Sequence, residues 1–209
     1  MFSEALAYPR QGDDWLKRIG IGGVLYILSF LILPMFVLQG YFYRVMGDTI
    51  RGGETPPAWD EWVELLVEGL KMWVIQLAYG IVPAMLIVIG TVFSALRGGM
   101  GAVGVVFTLV GALLYLVVAY VLPAAMANFA YTESFGAAFD LGTVGSAAMS
   151  GDYFVAILLA FVGGIVLGVI GAFLSVILVG IFVFFYAQVA IYYLVARGFA
   201  DAVGVTSSV

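Results

Sequence analysis

Apolar positions along this chain gather into long uninterrupted blocks rather than short alternations. Four stretches carry no charged residue: Ile19 to Tyr43 (25 residues), Met72 to Leu96 (25), Gly98 to Thr132 (35) and Tyr153 to Ala196 (44). A run of about 18 or more such residues predicts a helix that crosses a bilayer, because protein alone would need a far larger core to bury it. Strands of a membrane barrel would instead show segments of about 10 residues alternating apolar with polar, and no such alternation is present. The first run is too long for the apolar part of a cleaved signal, and no small-x-small site follows it, so the first helix is expected to stay.

Residues 1–18 mix Glu4, Arg10, Asp13, Asp14, Lys17 and Arg18 with Phe2, Leu6, Tyr8 and Trp15, the composition of a segment lying at the membrane surface. Asp14 is placed to cap a helix starting at Trp15. Residues 19–50 admit two readings. One kinked span crosses here, or a tight hairpin turns near Pro34 and returns through Gln39, Tyr41 and Arg44 to about Ile50. Positive charge favours the hairpin. With five spans, Arg10, Lys17, Arg18 and Arg97 lie inside and Arg44, Arg51, Lys71 and Arg197 outside, a tie. With the hairpin, all of these except Arg97 lie on the cytoplasmic side, as the bias of basic residues toward that side requires.

A turn-rich loop from Arg51 leads into residues 58–70. There Glu61, Glu64 and Glu68 share one helical face while Trp62, Leu66 and Leu70 share another, with Asp60 as the expected cap. This pattern predicts an interfacial amphipathic helix with its carboxylates in water. Residues 71–132 hold two spans, the first broken in the middle by Pro83 and the second carrying Pro123, joined by a short outer loop at Arg97 to Gly101. Residues 133–150 predict a second amphipathic helix, with Phe135 and Phe139 on one side and Glu133 and Asp140 marking the other. Residues 153–196 hold two more spans, split near Phe173 to Val176, and 197–209 form a tail. The expected fold is therefore all-α: one polytopic integral membrane helical bundle over 1–209, with about six membrane-embedded helices and two amphipathic helices on the cytoplasmic side. Both termini are expected in the cytoplasm of a cell-membrane protein.

Composition narrows the function further. Of 209 residues 64% are hydrophobic and 10% charged, and mean hydropathy is +1.15; soluble domains carry about a quarter charged residues. The chain has no Cys and no His, which excludes disulfides, thiolate nucleophiles, imidazole bases and His/Cys zinc sites. Thirteen acids against eight bases give a net charge of −5, which does not suit nucleic acid. No cofactor-binding, metal-binding or phosphate-loop motif is present, so an enzyme is not expected.

Polar residues inside apolar runs mark the places where function is sought in a membrane protein. Arg44, Gln76, Asn128 and Gln188 fall on four different helices, toward the cytoplasmic half, and form a candidate polar cluster. The same amides serve equally as hydrogen-bonding contacts between helices. Arg44 and Asp48, four apart, are placed to neutralise each other. Pro83 and Pro123 are expected at similar depth. Trp15, Trp59 and Trp62 are candidate interfacial anchors. Gly164 with Gly168, and Gly104 with Thr108, have the small-xxx-small spacing of close helix contacts.

The order of features resembles a known family. Tyr8-Pro9-Arg10, Asp13-Asp14-Trp15-Leu16-Lys17-Arg18 and Ile19-Gly20-Ile21-Gly22-Gly23 come first. Gly40-Tyr41 with Arg44 follows, then Gly52, Pro57-Ala58-Trp59-Asp60-Glu61-Trp62 and Gly69-Leu70-Lys71. Together they look like the prokaryotic membrane proteins grouped as domain of unknown function 4013. The resemblance covers nearly the whole chain and is most specific in the Pro-x-Trp-Asp-x-Trp segment. That family is distantly similar to the six-helix membrane module attached to some glycerophosphodiester phosphodiesterases. The resemblance implies no catalytic residues, and without the attached domain it implies no phosphodiesterase activity. The expected function is a non-enzymatic membrane module that interacts with membrane lipids or other membrane proteins. The alternative is a small transporter or lipid translocator using the inner-half polar cluster.

Overall fold

The computed structural model describes residues 1–96, 101–175 and 179–205. They form eight α-helices joined by turns and short 3-10 segments: α1 (Phe2–Ala7), α2 (Trp15–Ile27), α3 (Ile32–Ile50), α4 (Trp62–Leu96), α5 (Ala102–Thr132), α6 (Leu141–Ala148), α7 (Gly151–Leu174) and α8 (Val179–Ala202). Four of them, α4, α5, α7 and α8, are long and apolar enough to cross a membrane. At 1.5 Å per residue α4 measures about 52 Å, well beyond the roughly 30 Å of a hydrocarbon core. Its first turns, which carry Glu64 and Glu68, therefore project past the apolar layer.

Several local expectations are corrected. The break within residues 19–50 falls at Leu28–Leu31, where a 3-10 turn ends in an extended residue, and not at Pro34. Pro34 lies in the first turn of α3, where its missing N–H is one that would have no partner in the helix anyway. Asp14 occupies the cap position of α2 without a side-chain capping bond. The amphipathic helix expected over 58–70 is no separate element. From Trp62 onward it is the beginning of α4, which continues unbroken through Pro83. α5 likewise runs through Pro123.

The amphipathic helix expected over 133–150 is two pieces, a 3-10 segment at Phe135–Phe139 and then α6. Glu133 closes α5 in the left-handed conformation (φ 57°). Asp140 interrupts the pieces because its carboxylate accepts from the Gly142 and Thr143 amides at 3.1 and 3.4 Å, making it the N-cap of α6. The boundary expected near Phe173 to Val176 agrees with the end of α7 at Leu174. Val176 itself, and the loop expected at Arg97 to Gly101 apart from Gly101, lie outside the described residues.

α8 is the hub. It packs on α7 along its length and also on α2, α3, α1 and the inner part of α5. α4 packs on α3 and α5. The main core joins Met46, Ile50, Met72, Ile75, Phe129, Tyr153 and Phe199. A second, aromatic core holds Tyr8, Tyr41, Phe42 and Phe185. α3 and α4 cross at reciprocal glycines. A Cβ on Gly40 would strike the Leu65 carbonyl, and one on Gly69 the Phe36 carbonyl, so only glycine permits this approach.

The expected Gly104–Thr108 pair does lie on a helix seam, facing Gly90 and Ser94 of α4. The Gly164–Gly168 pair does not. Gly164 meets only the tip of Ile191 and Gly168 has open space, while α7 and α8 make their close contact at Gly171 and Gly180. Pro83 and Pro123 are not at one depth either, because the Pro83 carbonyl faces Gly111, twelve residues before Pro123 on α5.

Candidate functional site

The strongest concentration of polar groups lies at the base of the bundle, where α3 runs beside the start of α4. Arg44, on α3, has a side chain only 14% exposed and meets four carboxylates: Asp60 at 3.1 Å, Glu61 at 3.2 Å, Glu64 at 3.3 Å and Glu68 at 3.1 Å. Periodicity explains the cluster. Glu61, Glu64 and Glu68 recur at three- and four-residue steps and so share one face of the helix line, and Asp60 lies in the strand of chain just before. Glu61 has a positive φ of 49°, which turns the chain into α4.

These carboxylates were expected to face water. Three are still largely exposed (60–65%), but Glu68 is only 22% exposed and holds the guanidinium Nε. The expected Arg44–Asp48 pair is also replaced. Asp48 pairs with Arg51 at 3.3 Å, and Arg51 reaches Glu133 at 3.4 Å and the Ala130 carbonyl at 3.2 Å. An Arg with four acids within reach on α4 and the residues just before it gains more than from one neighbour on its own helix. These groups, with Tyr43 and Lys71, line an open basin of about 590 Å³. Its six carboxylates outnumber its three bases, so its field is negative.

Three members of the candidate polar cluster engage separate partners. Arg44 belongs to the basin just described. Gln76 donates to Gln39 of α3 at 3.4 Å. Asn128, 3% exposed, donates to the Ala137 carbonyl at 2.8 Å and so pins the 3-10 segment that follows α5. Gln188 is half-buried on α8.

Three tyrosines work alongside Asn128. Tyr79 donates to the Ala138 carbonyl at 2.6 Å, Tyr120 to the Ala148 carbonyl at 2.7 Å and Tyr153 to the Tyr120 carbonyl at 2.9 Å. The first two clamp residues 135–150 against the spans, and the third ties α7 to α5. Sequence reasoning did not single them out, although a tyrosine in an apolar run signals a hydroxyl that needs a partner.

Of the interfacial anchors, Trp59 stacks on Tyr41 at 4.0 Å and donates its indole N–H to the Arg18 carbonyl at 3.0 Å. Trp62 stacks on Trp59 at 5.9 Å and is 46% exposed. Trp15 is half-buried at the start of α2. The N-terminal segment is docked as well. The Tyr8 hydroxyl donates to the Thr55 carbonyl at 3.2 Å and its ring lies 4.5 Å from that of Tyr193. Burial pushes the Tyr8 hydroxyl up to about 12. Asp140 lies below the usual carboxylate range, first because the Thr143 hydroxyl donates to it and then because backbone amides do.

Four helices long and apolar enough to cross a membrane give the chain the make-up of a multi-pass helical membrane protein. More particularly, the chain belongs to the family described as protein of unknown function (DUF4013), whose profile matches residues 27–176. It is similar to an uncharacterized protein, MJ1189, of Methanocaldococcus jannaschii, 35% identical over 86 residues. That match covers 39% of this chain and 29% of the relative's length. No solved structure matches. The wider similarity to the glycerophosphodiester phosphodiesterase module is carried by neither match.

Proposed function

We propose that the protein is a non-enzymatic membrane module for interaction with lipids or other membrane proteins. It has six membrane-embedded helices, α2 and α3 forming a hairpin beside the four spans, and keeps both termini and the α3–α4 loop in the cytoplasm. The observation that carries this reading is the use of the polar side chains. Arg44 and its four carboxylates fasten α3 to the start of α4. Asn128, Tyr79 and Tyr120 fasten residues 135–150 to α4 and α5. Each of these groups holds one segment of the chain to another, and what faces outward is apolar: Phe30, Ile32 and Leu33 at the hairpin tip, Leu96, Leu113 and Leu116 on the α4–α5 pair, and Phe161 and Phe173 on α7. Such surfaces suit lipid tails and the helices of other membrane proteins.

The test is purification of the full chain in mild detergent and in lipid nanodiscs, with identification of what accompanies it. A stoichiometric membrane-protein partner or a defined lipid set is expected. Solute flux in proteoliposomes that disappears when Gln76, Asn128 and Gln188 are all changed to Leu, in a chain that stays folded, would replace this reading with a transporter.

A further inference from the structure

The start of α2, the end of α3 and the loop that follows form a second open pocket, about 500 Å³, lined by Arg18, Asp48, Arg51, Thr55, Pro57 and Ala58 among others. Its loop wall is fixed from within. The Tyr8 hydroxyl donates to the Thr55 carbonyl and the Tyr41 hydroxyl to the Pro57 carbonyl, each at 3.2 Å, and the Trp59 indole donates to the Arg18 carbonyl at 3.0 Å. Pro56 and Pro57 bring no N–H to this wall, so charge and donors come chiefly from the two guanidiniums.

The charges in the lining do not cancel. Asp48, its one carboxylate, pairs with Arg51 at 3.3 Å, and both also line the acidic basin, so that pair stands as a shared wall between the two compartments. Arg18 is on the other side of it. It is half-buried, its Nη1 donates to the Gln11 carbonyl at 2.8 Å, and its Nε is buried with no partner. Among the described residues no carboxylate lies within ion-pair distance of Arg18. A guanidinium drawn partly out of water against one neutral carbonyl recovers little of its lost hydration. An anion in the adjoining pocket offsets that loss.

We propose that this pocket binds a phosphate group, with Arg18 as its principal contact and Arg51 as the second. Phosphate presents oxygens in several directions and can meet both guanidinium forks, whereas a carboxylate has one edge to offer. Two sources supply this chemistry, a phosphate free in solution and the headgroup of a phospholipid. The site stands on local geometry and does not require the membrane-module reading.

The test has two arms, both with the full chain. In the first, inorganic phosphate is titrated calorimetrically into protein in phosphate-free mild detergent. In the second, protein in nanodiscs of equal phosphatidylglycerol and phosphatidylcholine is released for native mass spectrometry and its retained phosphatidylglycerol counted. Wild type is expected to bind in at least one arm, and Arg18→Gln to weaken that binding about tenfold, with Arg18→Lys intermediate. Ala58→Trp, at an exposed position, keeps the charge but fills the pocket and should weaken binding as well; it carries the test should Arg18→Gln lose the fold. Inorganic phosphate alone assigns a soluble ligand, phosphatidylglycerol alone a lipid. No binding in either arm, binding that Arg18→Gln or Ala58→Trp leaves unchanged, or acetate competing as well as phosphate overturns the site. Failure of wild type to enter nanodiscs would count against the membrane reading and leave the first arm to judge the site.

Discussion

The α4–α5 and α7–α8 hairpins are both apolar and antiparallel, yet they are held in different ways. Half of α8's apolar window is buried inside the protein, against 6% of α5's. α8 has α7, α2, α3 and α1 around it, whereas α4 and α5 beyond Gly80 and Tyr120 bury only Pro83, Gly90, Gly104 and Gly111, all at their own seam. The first hairpin is therefore anchored at its base and supported outward by one seam and by lipid. The second is supported from several sides along its length. In a bilayer the exposed surface of α4–α5 carries no hydrophobic penalty, so packing between backbones and the polar base must determine its position.

Breaking the base should have the largest effect. Arg44→Ala leaves four carboxylates facing one another without their cation and is expected to destabilise by about 3 kcal/mol. Hydrogen exchange should rise in α4 and α5 far more than in α7 and α8. Equal loss in both hairpins would remove the distinction between them. Next comes Gly180→Ala, whose new methyl would strike the Gly171 carbonyl and the Ser175 amide, both backbone. A cost of about 2 kcal/mol, read as loss of thermal stability in detergent, is expected to fall on α7–α8.

Gly104→Ala meets the Ser94 hydroxyl, a side chain able to turn away, as well as the Gly90 carbonyl at 2.8 Å, and should cost about 1 kcal/mol, confined to the outer α4–α5 seam. Gly168→Ala meets nothing and should be neutral or stabilising by about 0.5 kcal/mol through helix propensity. The smallest effect is local. Because the folded-state pKa of Asp140 is lowered, its capping contribution is full above the ordinary carboxylate range and is lost as pH falls through the depressed value. Faster amide exchange at Gly142 and Thr143 under acid, with α7 unchanged, checks this.

Much of this division is legible in sequence. The limits of α5 follow from its charge-free run and the Gly-rich segment before it, and the end of α7 from the length of the last run. The pairing of Arg44 is not legible. Helical periodicity placed Glu61, Glu64 and Glu68 on a common face, but it gives no information about what stands opposite. The partner comes from a helix some twenty residues earlier, across a loop of turn residues. Proline misled twice for the same reason. Pro34 sits in the first turn of α3 and Pro83 inside α4, and in both places the helix continues through the proline.

The central claim, that α2 and α3 form a hairpin beside four spans, depends on which side of the membrane carries the α3–α4 loop. Thr55 is exposed in that loop, and the chain has no natural cysteine. Thr55→Cys should react with a membrane-impermeant maleimide only after cells are permeabilised. Labelling in intact cells would place the loop outside and contradict the hairpin.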